Sequence, residues 1–202
     1  MFADATYIKG RVNGRVVSRA VVVATGVTAN GDREVWGVAV GDSENGAFRT
    51  GFLQGLRARG LTGVHLVISD HHLGLKAAIA SVFIGSAWQR CRVHFMRNVL
   101  SRVPRASSEM VAAAVRTVFA QPDAAHVRSQ LTEVTTMLRP QFPDVAGMLT
   151  DAAEDLLAFT AFPQAHWRKV WSTNPLERRP RPPCAASMGS LLQCRRAGRR
   201  WR

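Results

Sequence analysis

Three acidic residues occupy positions where carboxylates could serve metal-dependent chemistry: Asp4, Asp70 and Glu177. Asp4 stands at the head of the first predicted strand, Asp70 directly follows a short apolar run, and Glu177 falls in the first turn of a predicted helix. Oxygen ligands hold Mg²⁺, and two such ions can stabilise the attacking and leaving oxygens of phosphoryl transfer. The three acids therefore fit a two-metal site. Taken alone, Asp4 and Glu177 are more often helix or strand terminators, and Asp70-His71 is more often the opening of a loop.

The first 40 residues predict the elements that carry Asp4. Strands are expected over residues 7–12, 16–24 and 34–40, with turns at Asn13-Gly14 and at residues 30–32. Asn-Gly between two apolar runs is a strong hairpin signal, and β-branched residues favour strands. This region is therefore predicted to be an antiparallel three-strand meander.

The next 60 residues change to a pattern of alternating helices and strands. Helices are predicted over residues 45–59 and 73–83, and strands over residues 64–69 and 88–95. Such alternation indicates an α/β fold in which the meander continues into parallel strands. Open sheets of this kind place their ligand sites at the carboxyl ends of strands, which is where Asp70 lies.

Residues 103–165 show only helical periodicity, and prolines divide them into about three helices. Their apolar stripes are expected to pack through Val111, Val115, Val118, Leu131, Leu138 and Leu149. The predicted organisation is a core over residues 1–102, a helical insertion over 103–165, a helix start over 166–178 and a tail over 179–202. The helix is expected to begin near Ser172 or Thr173, and the basic, proline-rich tail is expected to be disordered.

Composition narrows the class of protein. The net charge is +13, and residues 178–202 hold eight arginines and no acid, which fits a polyanionic partner. A hydrophobic content of 47% excludes disorder along the whole chain. The longest apolar run falls far short of the ~20 residues of a membrane span, and no signal peptide is visible. Three cysteines make no disulfide framework, so the chain is expected to be cytoplasmic, without a membrane partner.

Five motifs together resemble the mutator-type transposases of bacterial insertion sequences. They are residues 4–9 (DATYIK), 40–44 (VGDSE), 67–75 (VISDHHLGL), 88–98 (WQRCRVHFMRN) and 171–178 (WSTNPLER). The resemblance implies a ribonuclease H-like core whose catalytic and metal-binding triad is Asp4, Asp70 and Glu177. It also implies Mg²⁺ (or Mn²⁺), and DNA strand cleavage and joining at the ends of a mobile element.

Several basic residues flank this predicted site in the sequence. Arg90, Arg92, Arg97 and Arg178 are candidate phosphate contacts, although any of them could be an ordinary surface charge. Cys91 and His94 have the spacing of half a zinc site, but no second pair completes it. They are predicted to lie on opposite faces of a strand. The pair also resembles a family signature, which implies a role near the triad or the DNA, and His94 is counted with the arginines as a candidate DNA contact.

The sequence therefore predicts a transposase catalytic-core fragment, cut at both ends and inactive in transposition as it stands. Its expected partners are DNA, at the element ends and the target, and a second copy of the chain. In the cell it is expected to associate with the nucleoid when it is bound to DNA. Two alternatives stay open: a generic ribonuclease H-like nuclease, and a non-catalytic basic DNA-binding relic that uses its arginine tail.

Overall fold

The computed structural model describes residues 1–12, 14–28, 32–42 and 46–173. Within these residues the strands are β1 (Phe2–Val12), β2 (Arg15–Val27), β3 (Arg33–Asp42), β4 (Leu66–Ser69) and β5 (Ala87–Arg90). The helices of the same residues are α1 (Gly46–Ala58), α2 (Leu73–Val82), α3 (Arg92–Leu100), α4 (Ser108–Val118), α5 (Ala124–Leu138), α6 (Pro143–Asp151), α7 (Ala153–Leu157) and α8 (Trp167–Val170). Short 3-10 turns occupy Arg105–Ser107, Ala158–Ala161 and Gln164–His166.

The five strands form one mixed sheet in the order β3-β2-β1-β4-β5. β1 pairs with β2 and β2 with β3 in antiparallel fashion, whereas β1–β4 and β4–β5 are parallel. The prediction of an antiparallel meander continued by parallel strands is confirmed. β1 begins at Phe2, five residues earlier than predicted, so Asp4 lies inside the strand and not before it.

Helices α1 and α2 cover one face of this sheet. Their buried side chains, among them Leu53 and Ile79, pack with Ala3, Ala24 and Val67 of the sheet. Burial of such aliphatic surface contributes roughly 25 cal/mol per Å² and drives this packing. Where α1 passes the end of β3, a Cβ on Gly41 would overlap the Phe48 ring, so glycine allows the close approach.

The helical insertion covers part of the opposite face and has a core of its own. Phe162 and Val170, from the end of the insertion and α8, pack against Phe2, Leu66 and Ile68. Residues 105–160 form helices joined by turns and short loops, and this span, all of which the structure describes, contains no strand. The prediction of an all-helical segment is therefore confirmed. The six residues expected to pack its core are all buried: Val111, Val115, Val118, Leu131, Leu138 and Leu149.

The predicted strand over residues 88–95 is wrong in its second half. β5 ends at Arg90, and residues 92–100 form helix α3. Phe95 and Val99, one helical turn apart, are both fully buried in the core of the insertion. Packing of this stripe outweighs the local strand pattern, because tertiary burial overrides weak intrinsic preferences.

Some predictions fall outside the described residues. These are the helix expected to follow Ser172 or Thr173, the positions of Glu177 and Arg178, and the disorder of the tail over 179–202. In the part of the chain that the structure describes, no helix has the length and apolarity needed to cross a membrane.

Candidate active site

Asp4 and Asp70 are brought together by the register of two parallel strands. β1 and β4 pair Phe2 with Ile68 and Ala3 with Ser69, so Asp4 and Asp70 are the next positions in line. Residues at alternate positions share a face of a strand, which places both acids on the face of Phe2 and Ile68. The Asp70 side chain is half exposed, and its Oδ1 accepts the His71 N–H at 2.6 Å.

The two carboxylates supply oxygen donors of the kind that Mg²⁺ or Mn²⁺ prefers, at adjacent positions on one face. Among the described residues no cluster of three or more potential metal ligands occurs. Glu177, the third predicted ligand, lies outside those residues. Of the three predicted metal ligands, the described residues therefore contain two, Asp4 and Asp70.

His94 faces this acidic pair from the first turn of α3. Its Nδ1 lies 4.0 Å from Asp70 Oδ1, and its side chain is only 13% exposed. Hydrogen bonding with the Cys91 thiol, helped by the charges of Cys91, Asp70 and Asp4, outweighs burial and raises the pKa of His94 to about 9. The imidazole is therefore a cation at neutral pH, adjacent to the two carboxylates.

Cys91 connects three parts of the site. Its N–H donates to the Ser69 carbonyl at 2.8 Å, directly before Asp70. Its buried Sγ accepts the Thr173 N–H and the Thr173 hydroxyl, each at 3.3 Å. Burial raises the pKa of the Cys91 thiol, but hydrogen bonds from His94 and Thr173 together bring it below its ordinary value.

This arrangement corrects the prediction that Cys91 and His94 lie on opposite faces of a strand. Cys91 stands at the junction between β5 and α3, and His94 is in the first turn of the helix. Residues three positions apart on a helical turn point the same way, so the thiol and the imidazole meet. Their Cys-x-x-His spacing was the available signal, once the segment is recognised as a helix start.

The predicted phosphate contacts occupy different environments. The Arg92 guanidinium lies 3.6 Å from the centroid of the Trp171 ring, and burial lowers the pKa of Arg92 to about 10. Arg90 lies 4.9 Å from the centroid of the Phe95 ring and is also partly buried. Arg97 is exposed on α3, whereas Arg178 lies outside the described residues. Arg92 and Arg90 are thus stacked on aromatic rings, an arrangement that holds a guanidinium in place.

Two residues with structural roles were missed by sequence reasoning. Gln89 in β5 is fully buried, and its amide donates to the Leu156 carbonyl at 2.8 Å and accepts the Phe159 N–H at 2.8 Å. A polar residue inside a short apolar strand was the signal for this link. Thr173 was interpreted as a helix cap, but its side chain is fully buried against Cys91.

Comparison with known proteins agrees with the motif analysis. The family model described as Transposase, Mutator family matches residues 1–181. The chain belongs to the mutator family of transposases. It is 46% identical over 176 residues to the transposase of insertion sequence IS1081 from Mycobacterium tuberculosis, an alignment that covers 87% of this chain and 42% of that protein.

Two other relatives are covered to a similar extent. The transposase of IS406 from Burkholderia multivorans is 38% identical over 179 residues, which cover 88% of this chain and 46% of that protein. The transposase of IS256 in transposon Tn4001 from Staphylococcus aureus is 35% identical over 180 residues, with the same shares. The chain therefore spans less than half the length of these relatives.

Proposed function

We propose that this chain is the catalytic core of an insertion-element transposase, with a ribonuclease H-like fold and a divalent-metal site for DNA strand cleavage and transfer. The observation that carries the proposal is the alignment of Asp4 with Asp70 on neighbouring parallel strands, in a member of a transposase family. The mixed sheet and the helical insertion support the proposed fold.

In this proposal Asp4, Asp70 and Glu177 hold Mg²⁺ (or Mn²⁺). When bound, such ions would activate the attacking oxygen and neutralise charge on the phosphate. The strand register, which puts the backbones of Asp4 and Asp70 at adjacent positions, supports this assignment. Two carboxylates on adjacent strands repel one another when no cation lies between them, which favours binding of a divalent ion.

Basic side chains around the acids are proposed to bind the DNA backbone. His94, protonated at neutral pH beside Asp70, would donate a hydrogen bond from a ring N–H to a phosphate oxygen. Arg97 offers an exposed guanidinium on the same helix. Arg90 and Arg92, and Arg178 next to Glu177, complete the proposed set. Cationic contacts of this kind position DNA but read no base sequence.

The test is cleavage of duplex DNA that carries the element ends, with Mg²⁺ or Mn²⁺, by the full chain and its variants. Asp4→Asn and Asp70→Asn should each lower the rate by at least ~100-fold, because a displaced metal misplaces the reacting atoms. Asp151→Asn, an exposed acid in the insertion, is the matched control and should cut like the unmodified chain. A second readout is the Mn²⁺-dependent rise in Tm, which the two site variants should lose.

Two results would favour other functions. Equal cleavage of DNA with and without element ends would indicate a general nuclease. DNA binding without any metal-dependent cleavage, unchanged by Asp4→Asn and Asp70→Asn, would indicate a non-catalytic DNA-binding protein. The basic tail of residues 178–202 is the feature that supports this second candidate.

A further inference from the structure

The outer end of the β1–β2 hairpin projects beyond the rest of the sheet. β3 pairs with β2 only as far as Arg19 opposite Asp42, and β4 pairs with β1 only at Phe2 and Ala3. Among the described residues, residues 9–12 and 15–18 therefore pair only with one another, through matches such as Lys9 with Ser18 and Val12 with Arg15. We call these residues, together with Arg19 at their inner end, the basic ribbon.

The basic ribbon is exposed and carries only positive charge. Lys9, Arg11 and Arg15 are exposed, and none of them forms an ion pair with another described residue. Residues 5–31 contain four basic side chains, the fourth being Arg19, and no acid. Val16, near the tip, is 62% exposed, so no described residue covers its side chain. Charge of one sign on an uncovered projection is suited to a polyanion.

The cations lie on both faces of the basic ribbon. Lys9 and Arg11 are two positions apart and share one face of β1. Arg15 and Arg19 share the other face, because both alternate in phase with Val23, the partner of Asp4. A two-stranded ribbon fits the major groove of B-DNA, which is bordered by a phosphate backbone on each side. Cations on both faces can reach both backbones.

The distance along β1 from Asp4 to the basic ribbon predicts how far from the cut the ribbon would contact the DNA. Arg19 pairs with Ile8 and Arg15 with Val12, which are four and eight residues beyond Asp4 in β1. At about 3.3 Å per residue these positions lie roughly 13 and 26 Å from Asp4 along the strand. With a rise of 3.4 Å per nucleotide along each strand, this corresponds to about four to eight base pairs.

We propose that the basic ribbon binds the phosphate backbones of duplex DNA in the major groove, about four to eight base pairs from the bond that the acids would cut. This surface deepens the proposed function and rests on it for the position of the cut. The binding itself does not depend on catalysis. It recognises backbone charge and groove width, and no base sequence.

The experiment measures the affinity of the full chain for a duplex DNA that carries an element end, by fluorescence anisotropy over a series of salt concentrations. The ribbon variant combines Lys9→Gln, Arg11→Gln and Arg15→Gln. The control variant combines Arg105→Gln, Arg116→Gln and Arg139→Gln, three exposed arginines of the insertion, and loses the same charge. Circular dichroism melts verify that both variants fold.

The ribbon variant should bind roughly 100-fold more weakly at 0.1 M salt, and its slope of log K against log salt should be smaller by about 2–3. The control variant should keep the slope of the unmodified chain. Equal losses in the two variants, or none in the ribbon variant, would overturn the proposal. A chain that binds through the ribbon but never cuts would refute the proposed catalysis alone.

Two further experiments test whether the ribbon binds in the major groove and whether it binds at the expected distance from the element end. Duplex RNA has a deep, narrow major groove, so its affinity should be the same for the ribbon variant and the unmodified chain. Neutral methylphosphonate linkages four to eight base pairs from the element end should weaken binding of the unmodified chain and not of the ribbon variant. Groove binding is contradicted if the ribbon substitutions weaken the binding of duplex RNA as much as that of DNA. It is also contradicted if methylphosphonates at other positions are the ones that weaken binding.

Discussion

The helical insertion and the basic ribbon both contain valine-rich segments, and they use them in opposite ways. Val111, Val115 and Val118 of α4 are at most 1% exposed and pack in the core of the insertion. Val16 in the ribbon is 62% exposed, and Val38 in the edge strand β3 is 59% exposed. The difference arises because helices surround α4 on several sides, whereas no layer of described residues packs on Val16 of the ribbon or on the face of β3 that carries Val38. Apolar patterns therefore predict the type of element, and the neighbouring elements decide its burial.

The largest effect is expected in the insertion core, at Phe159. Its ring is fully buried, 5.1 Å from the Trp167 ring and 6.0 Å from the Trp171 ring. Phe159→Ala should lower the free energy of unfolding by about 3–5 kcal/mol, because it leaves a cavity in this cluster. Urea denaturation measures the change. A loss below about 1 kcal/mol would mean that the insertion is not the tightly packed region inferred here.

The second effect concerns the link between the insertion and the sheet. Gln89→Ala leaves the Leu156 carbonyl and the Phe159 N–H without their buried partner. We expect a loss of about 2–4 kcal/mol in the free energy of unfolding, because each orphaned group costs about 1–3 kcal/mol. Gln54→Ala, at an exposed position on α1, is the control and should change stability by less than ~0.5 kcal/mol. Similar results for both glutamines would refute the link.

The third prediction concerns pH. The pKa of His94 should be about 9 when the proton shifts of its ring are followed by NMR, and Cys91→Ala should return this pKa towards 6.5. Because the folded pKa is raised, the charged ring contributes stability that is complete below about pH 6.5. That contribution is lost as pH rises through about 9. A pKa of His94 that is the same in the Cys91→Ala variant would exclude the thiol as the main cause.

The smallest effect is expected in the ribbon. Val16→Thr changes an exposed valine to a residue that also favours strands, so the free energy of unfolding should change by no more than ~0.5 kcal/mol. Val115→Thr, which places a hydroxyl in the buried stripe of α4, is the matched comparison and should cost about 1–3 kcal/mol. Equal costs would mean that the ribbon has a partner within the folded chain.

Much of the sheet and of the insertion could be predicted because their sequence patterns are local and extend over many residues. Thirteen-residue β2 and the apolar stripes of α4 and α5 repeat one period over many residues. Predicting these elements needed no knowledge of distant contacts. The proximity of Asp4 and Asp70 depends on one such contact, because Asp4 lies near the start of β1 and Asp70 directly after the end of β4, and the parallel register of the two strands aligns them.

The rest of the site depends on contacts between residues far apart in the chain. β5 has only four residues, so its end at Arg90 is decided by burial of Phe95 and Val99 in the insertion. The contact between Thr173 and Cys91 joins residues 82 positions apart. A hydroxyl before a proline looks like a helix cap in the sequence, and nothing local indicates a sulfur partner.

The attachment of Thr173 to Cys91 also limits the reach of the residues that follow it. Glu177 comes four residues later, and four residues span at most about 14 Å when fully extended. The length of the chain alone therefore predicts that the third proposed ligand stays within about 14 Å of the Thr173 backbone. One carboxylate in such a volume corresponds to a local concentration on the order of 0.1 M. The hydrogen bonds from Thr173 to the buried Cys91 thiol would thus tether this ligand to the part of the chain that carries His94.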